Sequence, residues 1–178
     1  IPYLEGVVCT ERTAEVYPDT VAGTVTGMAT YRFLNSSGQA QTAAFGVTPG
    51  YTVSSVKANG EDVPFSVGEY QEFNEAMLEV EIPAAEDVEL VVEYGGFPQE
   101  SRNMSEMQGS TEISDEYICL QNAALAPRLM NVMPDEGMYP AAIEITLPKG
   151  MTVIPFCASE AELVTEHEDG TATWRYED

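Results

Sequence analysis

The sequence has few basic residues. Thirty aspartates and glutamates outnumber seven lysines and arginines, which gives a formal net charge of −23. The basic residues are dispersed, and no two are adjacent: Arg12, Arg32, Lys57, Arg102, Arg128, Lys149 and Arg175. Binding to phosphate groups requires a basic surface, so we expect no nucleic-acid partner, and an anionic membrane surface would repel the chain.

Histidine, cysteine and long apolar runs are also scarce. The three cysteines are widely spaced and form no C-x-x-C pair: Cys9, Cys119 and Cys157. This spacing indicates neither a zinc knuckle nor a disulfide framework, and buried free thiols are expected instead. The single histidine begins an H-E pair at His167, but Thr171 occupies the fifth position of the H-E-x-x-H pattern, so no metal site is predicted. No apolar run approaches the length of a membrane span, and we expect no direct insertion of this chain into a membrane.

Short apolar segments with period-two alternation are abundant. They predict strands over residues 20–33, 43–47, 51–58, 61–66, 77–82, 88–94, 117–120, 143–147, 151–156, 162–167 and 171–177. No amphipathic helix accompanies them, so the fold class is all-β, either an antiparallel sandwich or an open, twisted, barrel-like sheet. We expect a single domain over residues 1–178, excised from a longer chain, with a long polar loop over residues 95–111.

Turn residues predict how these strands pair. Asn59-Gly60 is a type I′ hairpin signal, which gives Gly60 a structural role. Three further hairpins are predicted, joining 77–82 to 88–94, 143–147 to 151–156, and 162–167 to 171–177. Trp174, in the last of these strands, is predicted to be a core anchor.

Residues 123–133 are apolar, but Pro127 interrupts them and they are too few for a stable helix, so a packed bend is predicted. A solvated cation would be out of place in this run. We therefore predict that Arg128 is largely buried and bound to backbone carbonyls or to an acidic side chain such as Asp135.

The same region carries a resemblance to a known family. YICLQNAALAPR, then PDE, then YPAAIEITLPKG resemble the N-terminal β domain of M1-family (gluzincin) aminopeptidases. The segments ATYRFLNSSGQ, SSVKANGEDVPF, VELVVEYGG and TATWRYED resemble other parts of that domain, in the same order. The similarity spans nearly the whole chain.

The resemblance implies roles for individual residues. Gln121 and Arg128 fall on matching positions, which makes Gln121 a candidate for substrate binding, while Ala123 replaces the Gln or Glu that reaches the substrate's amino end in active members. A second interpretation remains open, in which Gln121 and Arg128 hydrogen-bond the backbone of the bend.

The family's catalytic motifs, G-A-M-E-N and H-E-x-x-H, do not occur in this chain. The resemblance thus implies a non-catalytic β domain without a cofactor of its own, packed against an adjacent domain of the same parent chain. That domain would be metallopeptidase-like and would hold any zinc. M1-like ectodomains fused to bacterial membrane proteins fit best, so an extracytoplasmic location in a membrane-bound or secreted parent is expected. The alternative is a stand-alone extracellular module that binds carbohydrate or protein.

Overall fold

The computed structural model describes residues 1–69, 75–99, 112–120, 122–133, 138–155 and 159–177. These residues form fourteen strands and one four-residue helix, α1 (Asn122–Leu125). The strands are β1 (Val7–Asp19), β2 (Thr24–Asn35), β3 (Gln41–Val47), β4 (Tyr51–Ala58), β5 (Glu61–Asp62), β6 (Phe65–Glu69), β7 (Ala76–Ile82), β8 (Asp87–Gly96), β9 (Glu112–Ile113), β10 (Ile118–Cys119), β11 (Arg128–Leu129), β12 (Ala141–Pro148), β13 (Glu162–Glu166) and β14 (Thr171–Glu177). The predicted all-β class is confirmed.

Eight strands form one mixed sheet, the large sheet, in the order β13-β14-β12-β1-β2-β8-β4-β5. β1 and β12 run parallel, and the other neighbours are antiparallel. Along β2, buried residues alternate with more exposed ones from Val25 to Asn35, as the sequence pattern predicts. One face of the large sheet therefore supplies core residues and the other faces outward.

Four strands form the small sheet, in the order β11-β3-β7-β6, and β9 pairs with β10 separately. The small sheet packs on the inner face of the large one: the rings of Tyr31 in β2 and Phe45 in β3 have centroids 4.8 Å apart. One hydrophobic cluster includes buried residues of both sheets. This layered arrangement is how an antiparallel sheet buries its apolar face.

The predicted hairpin between residues 143–147 and 151–156 is wrong. Strand β12 forms, but residues 151–155 are not a strand, and Ile154 is 90% exposed. The physical reason is that both edges of β12 are already occupied, by β1 on one side and β14 on the other. Residue 156 lies outside the described ranges.

The predicted hairpin between residues 77–82 and 88–94 is also wrong, although both strands exist. β7 pairs with β3 and β6 in the small sheet, whereas β8 pairs with β2 and β4 in the large sheet. The connection between them crosses from one sheet to the other. Buried Asn35 holds this crossing, because its side-chain amide donates to Pro83 O at 2.9 Å and its backbone N–H donates to Glu86 O at 2.8 Å.

Two predicted turns are confirmed. Asn59 and Gly60 have φ angles of 51° and 83°, as a type I′ turn requires, and they join β4 to β5. The strand after this turn is shorter than predicted, because β5 ends at Asp62 and the chain then enters β6 of the small sheet. The hairpin of β13 and β14 forms as expected. Of the predicted 95–111 loop, residues 95 and 96 belong to β8, and residues 100–111 are outside the described part.

Candidate functional site

The predicted site residues belong to the stretch that runs from β10 into β12. Gln121 and Asp135 lie outside the described residues, as does Cys157. Ala123 is within α1, and Arg128 begins β11. We refer to residues 122–131 as the anchored segment, because contacts from both sheets hold it in place.

The anchored segment owes its shape to its proline. α1 is a single turn, and the ring of Pro127 is incompatible with its continuation. The chain then pairs with the edge of β3, placing Arg128 opposite Gly46 and Leu129 opposite Phe45. The predicted packed bend is thus a helical turn followed by a short edge strand.

Three buried tyrosine hydroxyls donate hydrogen bonds to backbone carbonyls of the anchored segment. Tyr51 donates to Ala124 O at 2.7 Å, Tyr94 donates to Leu125 O, and Tyr31 donates to Pro127 O. Their strands, β4, β8 and β2, are neighbours in the large sheet. Carbonyls at the end of a helix lack partners within the helix, so these hydroxyls satisfy groups whose burial would otherwise be costly.

Burial raises the pKa of Tyr31, Tyr51 and Tyr94 above the ordinary tyrosine value of 10.0. In each case the main cause is loss of solvation, which disfavours the phenolate. All three side chains are therefore protonated donors at neutral pH.

Asn131 closes the anchored segment at its other end. Its side chain is buried, and its Oδ1 accepts from the N–H of Ala44 at 2.8 Å. Its Nδ2 donates to Pro2 O and Thr42 O, each at 2.9 Å. Both donors of this side-chain amide and one of the two lone pairs on its oxygen have partners. Asn131 therefore connects the N-terminal residues and β3 to the anchored segment.

The prediction that Arg128 is largely buried is wrong. Its side chain is 52% exposed, and its Nη2 forms an ion pair with Glu75 Oε2 at 3.2 Å. The reason is the alternation of β11: Leu129 faces the core at 6% exposure, so its neighbour faces the other side. The sequence suggested that Gln121 and Arg128 could hydrogen-bond the backbone of the bend. In the structure, tyrosine hydroxyls donate to the carbonyls of residues 124, 125 and 127.

The acidic partner of Arg128 is the less exposed of the two. The Glu75 side chain is only 11% exposed and occupies space left by Gly46, where an added Cβ would lie 2.3 Å from Glu75 Oε2. Removing Arg128 would therefore leave a nearly buried carboxylate without its cation.

Other candidate chemical groups lie elsewhere. Burial raises the pKa of Cys9 from 9.0 to about 12, which makes this thiol a poor nucleophile at neutral pH. His167 hydrogen-bonds Thr173 on the outer face of the large sheet, with its Nε2 2.7 Å from the hydroxyl. Trp174 packs against the core, and its buried Nε1 has no hydrogen-bond partner within the described residues. In the same ranges no three His, Cys, Asp or Glu side chains are placed to hold a metal ion.

No protein-family model matches the sequence, and no curated protein matches it. Several solved structures are similar to the chain. An M1 zinc metallopeptidase from Deinococcus radiodurans is similar over 99% of this chain and 40% of its own, with a TM-score of 0.60 and 17% identity. The chain resembles the N-terminal β domain of M1 metallopeptidases in fold.

Native yeast LTA4 hydrolase is similar over 97% of this chain and 29% of its own, with a TM-score of 0.59 and 9% identity. A second structure of the native Saccharomyces cerevisiae enzyme aligns with 96% of this chain and 27% of its own, with a TM-score of 0.57 and 9% identity. This chain thus spans less than half the length of these solved structures. None of the helices in the described ranges is long and apolar enough to cross a membrane.

Proposed function

We propose that this chain is a non-catalytic β domain of an M1 metallopeptidase-like protein. It packs against a metallopeptidase-like domain of the same parent chain through the anchored segment, and it shapes access to that domain's active site. The sequence contains no H-E-x-x-H motif, which supports placing any zinc of the parent in the other domain.

The anchored segment carries this proposal. A surface that borders a substrate path must keep one shape, and ordering a loop in advance lowers the cost of binding. Three tyrosine hydroxyls and Asn131 hold the backbone of this segment from inside, while Arg128 projects from its outer side. The exposed side chains of Tyr3 and Met133 lie next to this segment. Met133 follows its last residue, Asn131, by two positions, and Tyr3 precedes Leu4, whose N–H donates to Asn131 O at 2.9 Å.

The alternative, a stand-alone module that binds carbohydrate or protein, would be favoured by a row of exposed aromatics on one sheet face. Outward positions of β1, β2, β8, β12 and β14 in the described structure carry mainly threonine and glutamate, with Tyr17 as their aromatic residue. No observation on this face favours the alternative.

The test compares two arginines in the parent chain. Arg32 is the matched control, because it is also about half exposed, at 54%, and is paired with Glu11 and Glu89 on the large sheet. We expect Arg128→Ala to change KM for peptide substrates with little effect on kcat, since it alters access rather than chemistry. Arg32→Ala should leave both constants unchanged. Equal effects of the two substitutions, or a parent chain without a metallopeptidase-like domain, would contradict the proposal.

A further inference from the structure

The small sheet ends at strand β6, which pairs with β7 on one side and with no strand of the described structure on the other. All five residues of β6 are exposed. Alternate residues of an antiparallel edge strand direct their N–H and C=O groups away from the neighbouring strand. No residue in the described ranges forms another backbone hydrogen bond with β6, so this edge presents a row of backbone donors and acceptors.

The other sheet edges of the described structure are protected against pairing with a further strand. β13 carries Glu162 and Glu166, and its register is irregular between Leu163 and Thr165. β5 and β11 are only two residues long, and each contains charge. Charges, irregular register and short length all hinder strand addition. β6 is longer, pairs with β7 in continuous register, and carries its single charge at its last residue, Glu69.

The inward side chains of β6 are apolar and half uncovered. Phe65 and Val67 lie opposite Val80 and Leu78 of β7, which are fully buried on the inner face of the small sheet. Phe65 and Val67 are on the same face but are 38% and 47% exposed. The apolar face therefore continues past β7 to the edge of the sheet. A further strand with apolar side chains at alternate positions would cover both residues.

The outer face beside β6 is acidic. Glu79 of β7 lies opposite Ser66, is partly exposed, and has no cationic partner within the described ranges. Ser66 is small, and space around Gly68 is open, with nothing within 4 Å of an added Cβ. A strand added beside β6 would lie two strand spacings from β7, about 10 Å. A lysine or arginine on that strand can extend over Ser66 or Gly68 to Glu79.

We propose that β6 binds an extended segment of a separate protein by strand addition, and that this segment alternates apolar with basic residues. Its backbone pairs with the free edge, its apolar side chains cover Phe65 and Val67, and its basic side chains approach Glu79. A second copy of this chain fits less well, because two chains of net charge −23 repel each other. β6 lies at the opposite edge of the small sheet from β11, so this inference does not depend on the proposed function.

Fluorescence polarisation at physiological salt tests the proposal, with this chain titrated into three heptapeptides labelled with fluorescein at the N-terminus. The probe is KVKVKVK. KKKKVVV has the same composition and charge without the alternation, and EVEVEVE keeps the alternation with the opposite charge. Val67→Lys is compared with Val164→Lys, because Val164 is also half exposed, at 52%, and also lies on an edge strand, β13. The two variants have the same net charge.

We expect KVKVKVK to bind at least about tenfold more tightly than either control peptide and to slow hydrogen exchange at the amides of β6. Val67→Lys should weaken this binding about tenfold or more, and Val164→Lys less than about twofold, because only the first places a cation where the apolar side chains of the added strand pack. Circular dichroism verifies that both variants are folded.

Three results would overturn the proposal. Equal affinity for KVKVKVK and KKKKVVV would mean general attraction of basic peptides to an acidic protein. Equal weakening by the two substitutions would place the peptide away from β6. Protection of the β6 amides that rises with protein concentration, in the absence of peptide, would identify a second copy of this chain as the occupant.

Discussion

Tyr51 shows how a single residue contributes to the site. Its ring is buried and its hydroxyl reaches Ala124 O at 2.7 Å. Tyr51→Phe keeps the ring but leaves a buried carbonyl without a partner, so we expect a loss of about 1–3 kcal/mol in the free energy of unfolding. Denaturant titration measures it. Tyr3→Phe is the control, because Tyr3 is 56% exposed. A loss no larger than that of the control would contradict the role given to the hydroxyl.

The buried tyrosines also predict a pH dependence. A group whose pKa is raised in the folded state stabilises it fully below the unfolded pKa, and this contribution is lost as the pH rises toward the folded value. For Tyr31, Tyr51 and Tyr94 the loss begins near pH 10.0, and for Cys9 near pH 9.0. Each group that ionises only on unfolding adds about 1.4 kcal/mol of lost stability per pH unit.

Unfolding free energies measured at about pH 9 and pH 11 check this dependence. The decline should be shallower for Tyr51→Phe than for the unsubstituted chain, because one such group has been removed. Identical slopes would show that Tyr51 does not contribute to it.

Arg128 and Glu75 form a pair of unequal exposure, at 52% and 11%. Arg128→Ala is therefore expected to cost about 1–2 kcal/mol, between the values for a surface pair and a fully buried one. Glu75→Gln in the same background should recover part of this loss, since it removes the stranded charge. A double-mutant cycle in denaturant measures the coupling, and a coupling of zero would contradict the ion pair.

Part of the residue-level picture could be predicted from the sequence. The parity of β2 places Tyr31 with Val25 and Ala29 on one face, and the parity of β8 places Tyr94 with the inward Leu90 and Val92. A tyrosine on an inward face needs a hydrogen-bond acceptor for its hydroxyl. The inward positions of Tyr31 and Tyr94 therefore indicate, from the sequence alone, that their hydroxyls bind buried acceptors. Their acceptor could not be predicted, because it lies far away in the sequence.

At the level of elements, the β4–β5 hairpin gives the sharpest test. Gly60 has φ of 83°, and space is open around it, with nothing within 4 Å of an added Cβ. Gly60→Val should cost about 1–3 kcal/mol through backbone strain alone. Gly68→Val in β6 is the matched control, because its surroundings are equally open and its φ is not positive. Equal thermal stability of the two variants would contradict the turn type.

Alternating patterns predicted where strands occur better than which strands pair. The strands at β7, β8 and β12 lie close to their predicted positions. Their predicted hairpins failed because pairing depends on which sheet edges are free: β12 lies between β1 and β14, and β7 and β8 belong to different sheets. The hairpins at residues 59–60 and 168–170 were predicted correctly, whereas the turn at residues 148–150 forms without a hairpin after it. A turn signal therefore specifies a partner strand only where the neighbouring sheet edge is free.

In the whole molecule, the two sides of the large sheet are proposed to differ in what covers them. The inner side supports the anchored segment, which is proposed to face another domain of the parent chain. The outer side, which includes Tyr17, is proposed to remain open to solvent. Met133 and Tyr17 report on these two sides, and both are 46% exposed in this chain.

Hydroxyl-radical footprinting of this chain and of the full parent chain tests whether the anchored segment faces a second domain. We expect Met133 and Tyr3 to be protected in the parent, because packing against the second domain covers them, while Tyr17 keeps its reactivity. If Met133 is as reactive in the parent as in the separate chain, or if Tyr17 is the protected residue, the anchored segment does not face a partner domain and the proposed function is wrong.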